Sequence, residues 1–448
     1  MKNSGVEWIG EIPEDWEVKP LTSLFSFGKG LPITKEDLKE NGIPVLSYGQ
    51  IHSKTNTGTN IQNDLLRYVD ESYLVSNPQS LVQRGDFIFA DTSEDLDGCG
   101  NCAYVNFDSK LFAGYHTVIL KSKDCSNNQY LAYLFKTDEW RKQIRAGLVE
   151  VKLYSISRKV LKKASVILPP QSTQQRIASY LDKKCSKIEE TIQNQQQVIE
   201  KLKAYKQSLI TEAVTGKVKI VNGKACGEYE EYKDSGVEWI GKIPSEWEVK
   251  KLKYIADTFL KGSGITKEEI VINGDTPCVR YGELYTKYDY HFTECQTRTN
   301  LGIIETPKYF SHGDVLFTCT GELVEEIGKS IAYLGNEKCL AGGDIIVLKH
   351  SQDPMFMGFA LDSKYVQGQK SFGKTKLKVV HISSGEIARL LIVLPPKEEQ
   401  KEIADYLDKK CTAIDTAIEQ KQKLIEKLTE YKKSLIYECV TGKKEIKL

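Results

Sequence analysis

Two stretches of the chain repeat apolar residues in alternating steps of three and four. The first runs Ile177, Leu181, Cys185, Ile188, Ile192, then Ile199, Leu202 and Leu209. The second runs Ile403, Leu407, Cys411, Ile414, Ile418, then Ile425, Leu428 and Leu435. That spacing predicts a narrow coiled-coil seam on each of two long helices. Each run follows a Pro-Pro pair, which suits a helix start and not its interior. Neither meets a Gly or Pro until Gly216 and Gly442. At 1.5 Å per residue each helix should reach about 60–65 Å. Polar residues break the seam at equivalent places: Gln195 with Lys421, and Lys206 with Lys432. Such positions fix register and orientation at a cost in stability. An antiparallel pair would bring Gln195 close to Lys421; alternatively, these positions mark where the helices diverge.

The segments before each helix, about 21–167 and 252–393, read as mixed α and β. Short apolar runs such as Phe87-Ile88-Phe89-Ala90 and Thr117-Val118-Ile119-Leu120 predict strands between Gly, Asn and Asp turns. Val315-Leu316-Phe317 and Ile345-Ile346-Val347-Leu348 are their counterparts, and Tyr130–Ile144 reads as a helix.

The chain is written twice. SGVEWIG at Ser4–Gly10 returns unchanged at Ser235–Gly241, and Trp16-Glu17-Val18-Lys19 returns as Trp247-Glu248-Val249-Lys250. Leu168-Pro169-Pro170 returns as Leu394-Pro395-Pro396, YLDKKC at Tyr180–Cys185 as Tyr406–Cys411, and Thr215-Gly216-Lys217 as Thr441-Gly442-Lys443. Each half is therefore a head, a middle of its own and a common helix, and a pseudo-twofold arrangement is expected. The expected divisions are 1–168 (head and first domain), 169–217 (first helix), 218–231 (linker), 232–394 (second head and domain), 395–443 (second helix) and 444–448 (tail). Four of the five tryptophans lie in the heads. Trp8 and Trp16 are expected to pack at the junction of domain and helix, rather than to line a ligand pocket.

Composition bounds the rest. With 40% hydrophobic and 27% charged residues, the chain is globular rather than disordered. A formal net charge of +1 excludes a uniformly basic nucleic-acid binder, so any DNA contact must come from local patches. No run of about 18 apolar residues and no signal pattern is present, which points to a cytoplasmic protein without membrane contact. Eleven scattered cysteines fit a reducing compartment. Cys99 and Cys102 form a CxxC with His116 and Cys125 downstream, but the second half has Ile327 and Ser330 at those places, so no metal is expected. Catalytic motifs are missing too. The Pro-Pro pairs lack the Asn/Asp and aromatic flanks with which an adenine methyltransferase grips a flipped base. No phosphate-binding G-x4-G-K-[ST] loop, HExxH or Ser/His/Asp set appears.

At this point the chain resembles a known family. SGVEWIGEIPEDWEV and SGVEWIGKIPSEWEV look like the entry motif of type I restriction–modification specificity subunits. LPPQSTQQRIASYLDKKCSKIEETI and LPPKEEQKEIADYLDKKCTAIDTAI resemble that family's Pro-Pro-x-x-x-Gln helices. The first copy departs slightly, with Gln171-Ser172-Thr173 where an acidic residue is more usual before the glutamine. The resemblance implies a non-catalytic subunit in which each variable domain reads one half of a bipartite, asymmetric site in double-stranded DNA. The helices would set the gap and dock two methyltransferase (modification) subunits, with restriction (translocase/endonuclease) subunits added to the complex. It implies no cofactor of this chain's own, since the methyl donor would bind the modification subunit.

Base reading needs donors and acceptors at the major groove, supported by cations on phosphates. Val45–Gln50 matches Cys278–Glu283 around a Tyr-Gly turn. Candidate readers are Ser47, Tyr48, Lys54 and Asn56 in the first domain, and Arg280, Tyr281, Lys287 and Tyr288 in the second. Arg280 stands out because Arg–guanine pairing is the commonest specific contact. Candidate phosphate contacts are Arg141, Arg145 and Lys152, in a stretch that also holds Lys142, Arg158, Lys159, Lys162 and Lys163, and Lys370, Lys374, Lys376 and Lys378, in a stretch that also holds Lys364. For any one lysine, a solvated face is the plainer reading. The rival from another class is a structural adaptor whose two heads bind proteins across a coiled coil; it would show no sequence-selective retention by DNA.

Overall fold

The computed structural model describes residues 1–6, 8–124, 128–148, 153–375 and 379–446. The chain divides into two compact units: residues 1–195 with 423–448, and residues 196–422. Each unit thus holds one variable domain, the N-terminal part of its own long helix and the C-terminal part of the other.

Both long helices form as the periodicity requires, over Gln171–Val214 and Lys397–Val440. The glutamine of each Pro-Pro-x-x-x-Gln motif turns back onto the helix start. Gln174 Nε2 donates to the Pro169 carbonyl at 2.8 Å and Gln400 Nε2 to the Pro395 carbonyl at 2.9 Å. The first helix stops in a turn where Lys217 N donates to the Glu212 carbonyl and Gly216 (φ +70°) takes the left-handed conformation. This closes orphan carbonyls in the manner of a Schellman cap.

Within each unit the two helix segments run antiparallel. In the first, Ile177, Leu181, Cys185 and Ile188 share one core with Leu435, Ile436, Cys439 and Val440, with Ile192 and Leu428 packed against it. In the second, Ile199, Ile414 and Ile418 are buried and Leu202 is half-buried. Ile425, in the first unit, is half-buried, as are the seam-breaking Gln195 and Lys421. The other two breaks are ion pairs related by the repeat. Lys432 meets Glu189 at 3.0 Å in the first unit, and Lys206 meets Asp415 at 2.6 Å in the second. A lysine at a seam position is thereby matched by an acid on the opposing helix.

The variable domains share a frame. In the first, an antiparallel sheet runs Cys102–Tyr104, Phe87–Ala90, Thr117–Ser122, Phe25–Lys29. A second sheet runs Arg67–Val69, Ile43–Leu46, Leu111–Ala113, Leu81–Val82, with its middle pair parallel. The second domain repeats both. Its sheets run Ala256–Lys261, Ile345–His350, Val315–Thr318, Ser330–Tyr333, His291–Phe292 and Thr297–Thr299, Thr276–Val279, Cys339–Ala341, Tyr309–Phe310. The strand His291–Phe292 is an addition that pairs parallel to Ser330–Tyr333. Each domain is clasped by a ladder between its head and the strand before Pro-Pro: Glu17–Pro20 with Ser165–Leu168, and Glu248–Lys251 with Leu391–Leu394. The repeated letters at both ends of each domain are the two halves of this clasp.

The heads also fix the helices. Trp16 packs edge-on to Tyr130, whose hydroxyl donates to the Val440 carbonyl at 2.8 Å. Trp247 Nε1 and the Tyr229 hydroxyl both donate to Glu399 Oε2, at 3.1 and 2.9 Å. The aspartate of each YLDKKC block bolts its helix to its own domain. Asp182 accepts from the Tyr133 hydroxyl at 2.6 Å, and Asp408 lies 2.8 Å from His291 Nε2. One expected element differs. The helix over Tyr130–Ile144 is two, Gln129–Leu134 and Asp138–Arg145, because the Thr137 side chain caps the second by accepting from Trp140 N.

Candidate nucleic-acid interface

In each variable domain the loops that follow three strands gather at one end. The Tyr-Gly segments are not open turns but short helices, Tyr48–Ile51 and Tyr281–Thr286, each begun where an extended residue hands over to helix. That geometry decides which candidate side chains face outward. Ser47 is buried, with its N–H bonded to Gln50 Oε1 at 3.2 Å, so the expectation of a displayed serine is corrected. Arg280, at the equivalent place, is half-buried beside Glu283, and Tyr281 is 41% exposed. Glu283 is buried and accepts from Lys287 Nζ at 2.7 Å and Thr297 Oγ1 at 2.8 Å, which ties the short helix to the neighbouring strand. Tyr288 is also corrected: it is buried and stacks on Phe292 at 4.2 Å. Lys54 is exposed, whereas Asn56 spends its amide on the Ile51 and Cys102 carbonyls and its Oδ1 on Gly58 N.

The cationic clusters divide in the same way. Arg141 Nε donates to the Phe135 carbonyl at 2.9 Å, and Arg145 pairs with Asp138 at 3.3 Å. Both guanidinium groups also reach the Asp97 carbonyl. On the helix Arg158–Lys163, four cations are exposed: Arg158, Lys159, Lys162 and Lys163. In the second domain Lys370 is buried, a correction to its expected surface place. Its ammonium donates to the Gly328 and Leu361 carbonyls and to Ser330 Oγ at 2.6–2.7 Å. Burial lowers its pKa to about 8, with Asp362 opposing that shift. Lys374 is held by Glu386 at 2.7 Å and the His381 carbonyl at 2.6 Å. Lys152, Lys376 and Lys378 lie outside the described residues.

The fold assembles a group that the letters gave no reason to join. In the first domain the Tyr48 ring meets His52 (6.3 Å), Tyr115 (5.6 Å) and His116 (5.3 Å). His52 Nε2 lies 2.7 Å from the Thr92 carbonyl and Nδ1 lies 3.1 Å from Asn101 Nδ2. His116 Nδ1 lies 3.2 Å from Asp91. A two-stranded ribbon, Thr92–Ser93 with Tyr154–Ser155, forms the facing wall. The second domain has the same ribbon, Thr320–Gly321 with Val380–His381, but different residues beside it. Tyr285 stands where the first domain has His52, and its hydroxyl lies 2.7 Å from Thr318 Oγ1; Asp344 stands in place of His116. Dispersed single histidines carry no spacing signal, so only the tertiary contacts reveal this set.

Among the described residues, no group of three or more His, Cys, Asp or Glu is placed to hold a metal ion. Cys99 donates to the Asp95 carbonyl, Cys102 is buried with its thiol pushed up to about 12 by desolvation, and Cys125 lies outside the described residues. No described helix is long and apolar enough to cross a membrane.

Comparison with known proteins agrees with this architecture. Residues 13–202 and 244–429 each match the type I restriction modification DNA specificity domain. A Methanocaldococcus jannaschii chain described as the specificity subunit of the MjaX type I restriction enzyme is 25% identical, covering 98% of this chain and 96% of its own. The EcoKI specificity subunit of Escherichia coli strain K12 is 20% identical over 97% of this chain and 90% of its own. Among solved structures, a chain from a study of type I R-M complex assembly and conformational transition superposes with a TM-score of 0.69 at 16% identity, covering 96% of this chain and 99% of that one. The HsdS subunit of Thermoanaerobacter tengcongensis superposes with a TM-score of 0.50 at 15% identity, covering 96% and 98%. Two matched domains spanning most of the sequence establish that the chain belongs to the type I restriction–modification DNA specificity family, the non-catalytic subunits that recognise DNA and assemble with the other subunits of these systems.

Proposed function

We propose that the two variable domains read the two halves of a bipartite, asymmetric DNA site through the loop ends described above. Two methyltransferase subunits, and with them restriction subunits, assemble on the paired helices in the cytoplasm. The observation that carries this reading is one frame with two sets of side chains. Ser47, His52 and His116 in the first domain are replaced by Arg280, Tyr285 and Asp344 in the second, on matching sheets. Two different targets demand that kind of difference, since sequence is read by side chains at base edges while phosphate contacts only set position. Tyr48, Lys54, Asn56, Arg280, Tyr281 and Lys287 are the candidate readers that keep some exposure, although Asn56 has its amide engaged within the domain. The exposed cations of Arg158–Lys163 suit the phosphate backbone, so specific binding should weaken with salt.

Methylome sequencing of cells carrying this subunit with its cognate methyltransferase tests the reading. The expected result is one adenine-methylated motif of two half-sites and a fixed gap. Arg280→Ala should change one half-site and leave the other and the gap intact. An unstructured methylation pattern, or an Arg280→Ala motif identical to wild type, would refute the respective claim.

A further inference from the structure

The ring cluster of the first domain opens onto a groove of about 680 Å³, whose lining includes Tyr48, His52, Glu94, Asn101, His116 and Leu153. Its chemistry is one-sided. Asp91 stands behind His116, and Glu94, Asp95 and Asp97 are exposed on the adjoining loop. Arg145 lies 4.0 Å from the Asp97 carboxylate, which leaves Asp91, Glu94 and Asp95 without a guanidinium partner among the described residues and the groove still poorly suited to a phosphate. It suits a partner that brings N–H donors. The nearby cations are placed to hold the backbone instead, because the Arg158–Lys163 helix starts three residues after the ribbon strand Tyr154–Ser155.

The hydrogen bonds set the groove's donors and acceptors. The Thr92 carbonyl accepts only, so His52 Nε2 carries a proton, and in the neutral ring Nδ1 is then an acceptor. That Nδ1 can accept only from an amide nitrogen, which fixes which end of the Asn101 side chain is NH₂. Asn101 Oδ1 and the second Nδ2 hydrogen have no partner among the described residues. Asp91 likewise fixes the His116 proton on Nδ1 and leaves Nε2 as an acceptor when the ring is neutral. The groove therefore offers one amide with a free donor and a free acceptor, set among further acceptors. In the major groove, adenine alone presents a donor at N6 beside an acceptor at N7, the match for an asparagine amide. Guanine would set two acceptors, O6 and N7, against a wall rich in acceptors.

We infer that this groove reads an adenine in the first half-site, with Asn101 bonding N6 and N7 and His52 acting as the positioning residue that holds the amide in that sense. The inference rests on the proposed DNA-reading role and adds the residue, the base and its two atoms. Asparagine–adenine contacts are worth about 1–3 kcal/mol, so losing one should weaken binding about 10-fold or more.

The test uses the complex with its methyltransferase and duplexes carrying the motif found by methylome sequencing. Adenines of the first half-site are replaced one at a time by purine, which lacks the N6 amine, or by 7-deazaadenine, which lacks N7. At one position both analogues should weaken wild-type binding about 10-fold or more. In Asn101→Ala neither analogue should matter there. In Asn101→Asp, which keeps the acceptor and loses the donor, the purine effect should persist and the 7-deazaadenine effect should vanish. Unchanged analogue responses in a variant that still binds through the second half-site would overturn the assignment to Asn101. Equal binding of motif and scrambled duplexes by the wild-type complex would instead overturn the DNA-reading role, so the two failures are distinguishable.

Discussion

Gly216→Ala isolates how the long helix is joined to the second head. Gly216 sits at φ +70°, where a side chain costs about 1–2 kcal/mol. A Cβ there would lie 2.3 Å from Pro244 Cδ, 2.6 Å from Pro244 Cγ and 3.1 Å from Trp247 Cζ3. Carbon atoms prefer about 3.5–4.0 Å, so the head would have to retreat by about 1 Å. Trp247 is fully buried, and Lys217 Nζ already grips the head through the Lys242 carbonyl at 2.6 Å, so retreat is resisted. Overpacking of this kind costs about 1–3 kcal/mol, for a total of about 2–5 kcal/mol. Gly223 is the internal control. It has the same φ of +70°, but a Cβ there meets nothing within 4 Å, so Gly223→Ala should cost only the backbone part. Urea unfolding followed by tryptophan emission reads the difference directly, since Trp239 and Trp247 both lie in the second head. Two units need not unfold together, so the transition to compare is the one that reports these residues. Gly216→Ala should fall well below Gly223→Ala. Equal midpoints for the two would refute the argument that the close approach, rather than the φ angle, makes this glycine necessary. Gly442→Ala should behave alike in the first unit, where Pro13 Cδ and Cγ are each 2.6 Å away.

Further expectations rest on the buried charges. Lys370→Ala should cost about 3–5 kcal/mol, because it removes three hydrogen bonds and takes from buried Asp362 the stronger of its two counter-charges, leaving Lys329; a loss below about 1 kcal/mol in chemical unfolding would contradict that. Burial lowers the pKa of Lys136 to about 8, below its unfolded value of about 10.4. The unfolded chain then binds the extra proton between those values, so this group's contribution to stability rises from pH 8 to pH 10. The stability of wild type relative to Lys136→Met should therefore grow over that range, and a flat difference would be the contrary result. Double-mutant cycles on Lys206/Asp415 and on Lys432/Glu189 should each give a coupling of about 0.5–1 kcal/mol with the same sign; coupling in one unit but not the other would break the equivalence of the two seams.

The elements legible in the letters are those whose signals are local. Steps of three and four marked both long helices because a helix must turn one apolar stripe inward along its whole length. Pro169-Pro170 and Gly216 marked the ends of the first helix because a proline interior and a φ of +70° are each costly for ordinary residues. The duplication carried the domain plan without any physics of packing, since repeated letters must fold alike. The one misplaced helix boundary, at Thr137, came from a capping side chain that a helical pattern absorbs unnoticed.

The sequence by itself therefore determined a twofold plan, two seamed helices and an absence of catalytic motifs, as well as the family resemblance. It could not say which polar residues face solvent. Lys370 and Lys163 look alike in the chain, yet one is enclosed by carbonyls and the other is exposed. Nor could it join the Tyr48–His52 segment to Asn101 and His116, which come from two other loops. Burial and hydrogen-bond partners are set by strands distant in sequence, so only the tertiary structure decided which side chains are free to read a base.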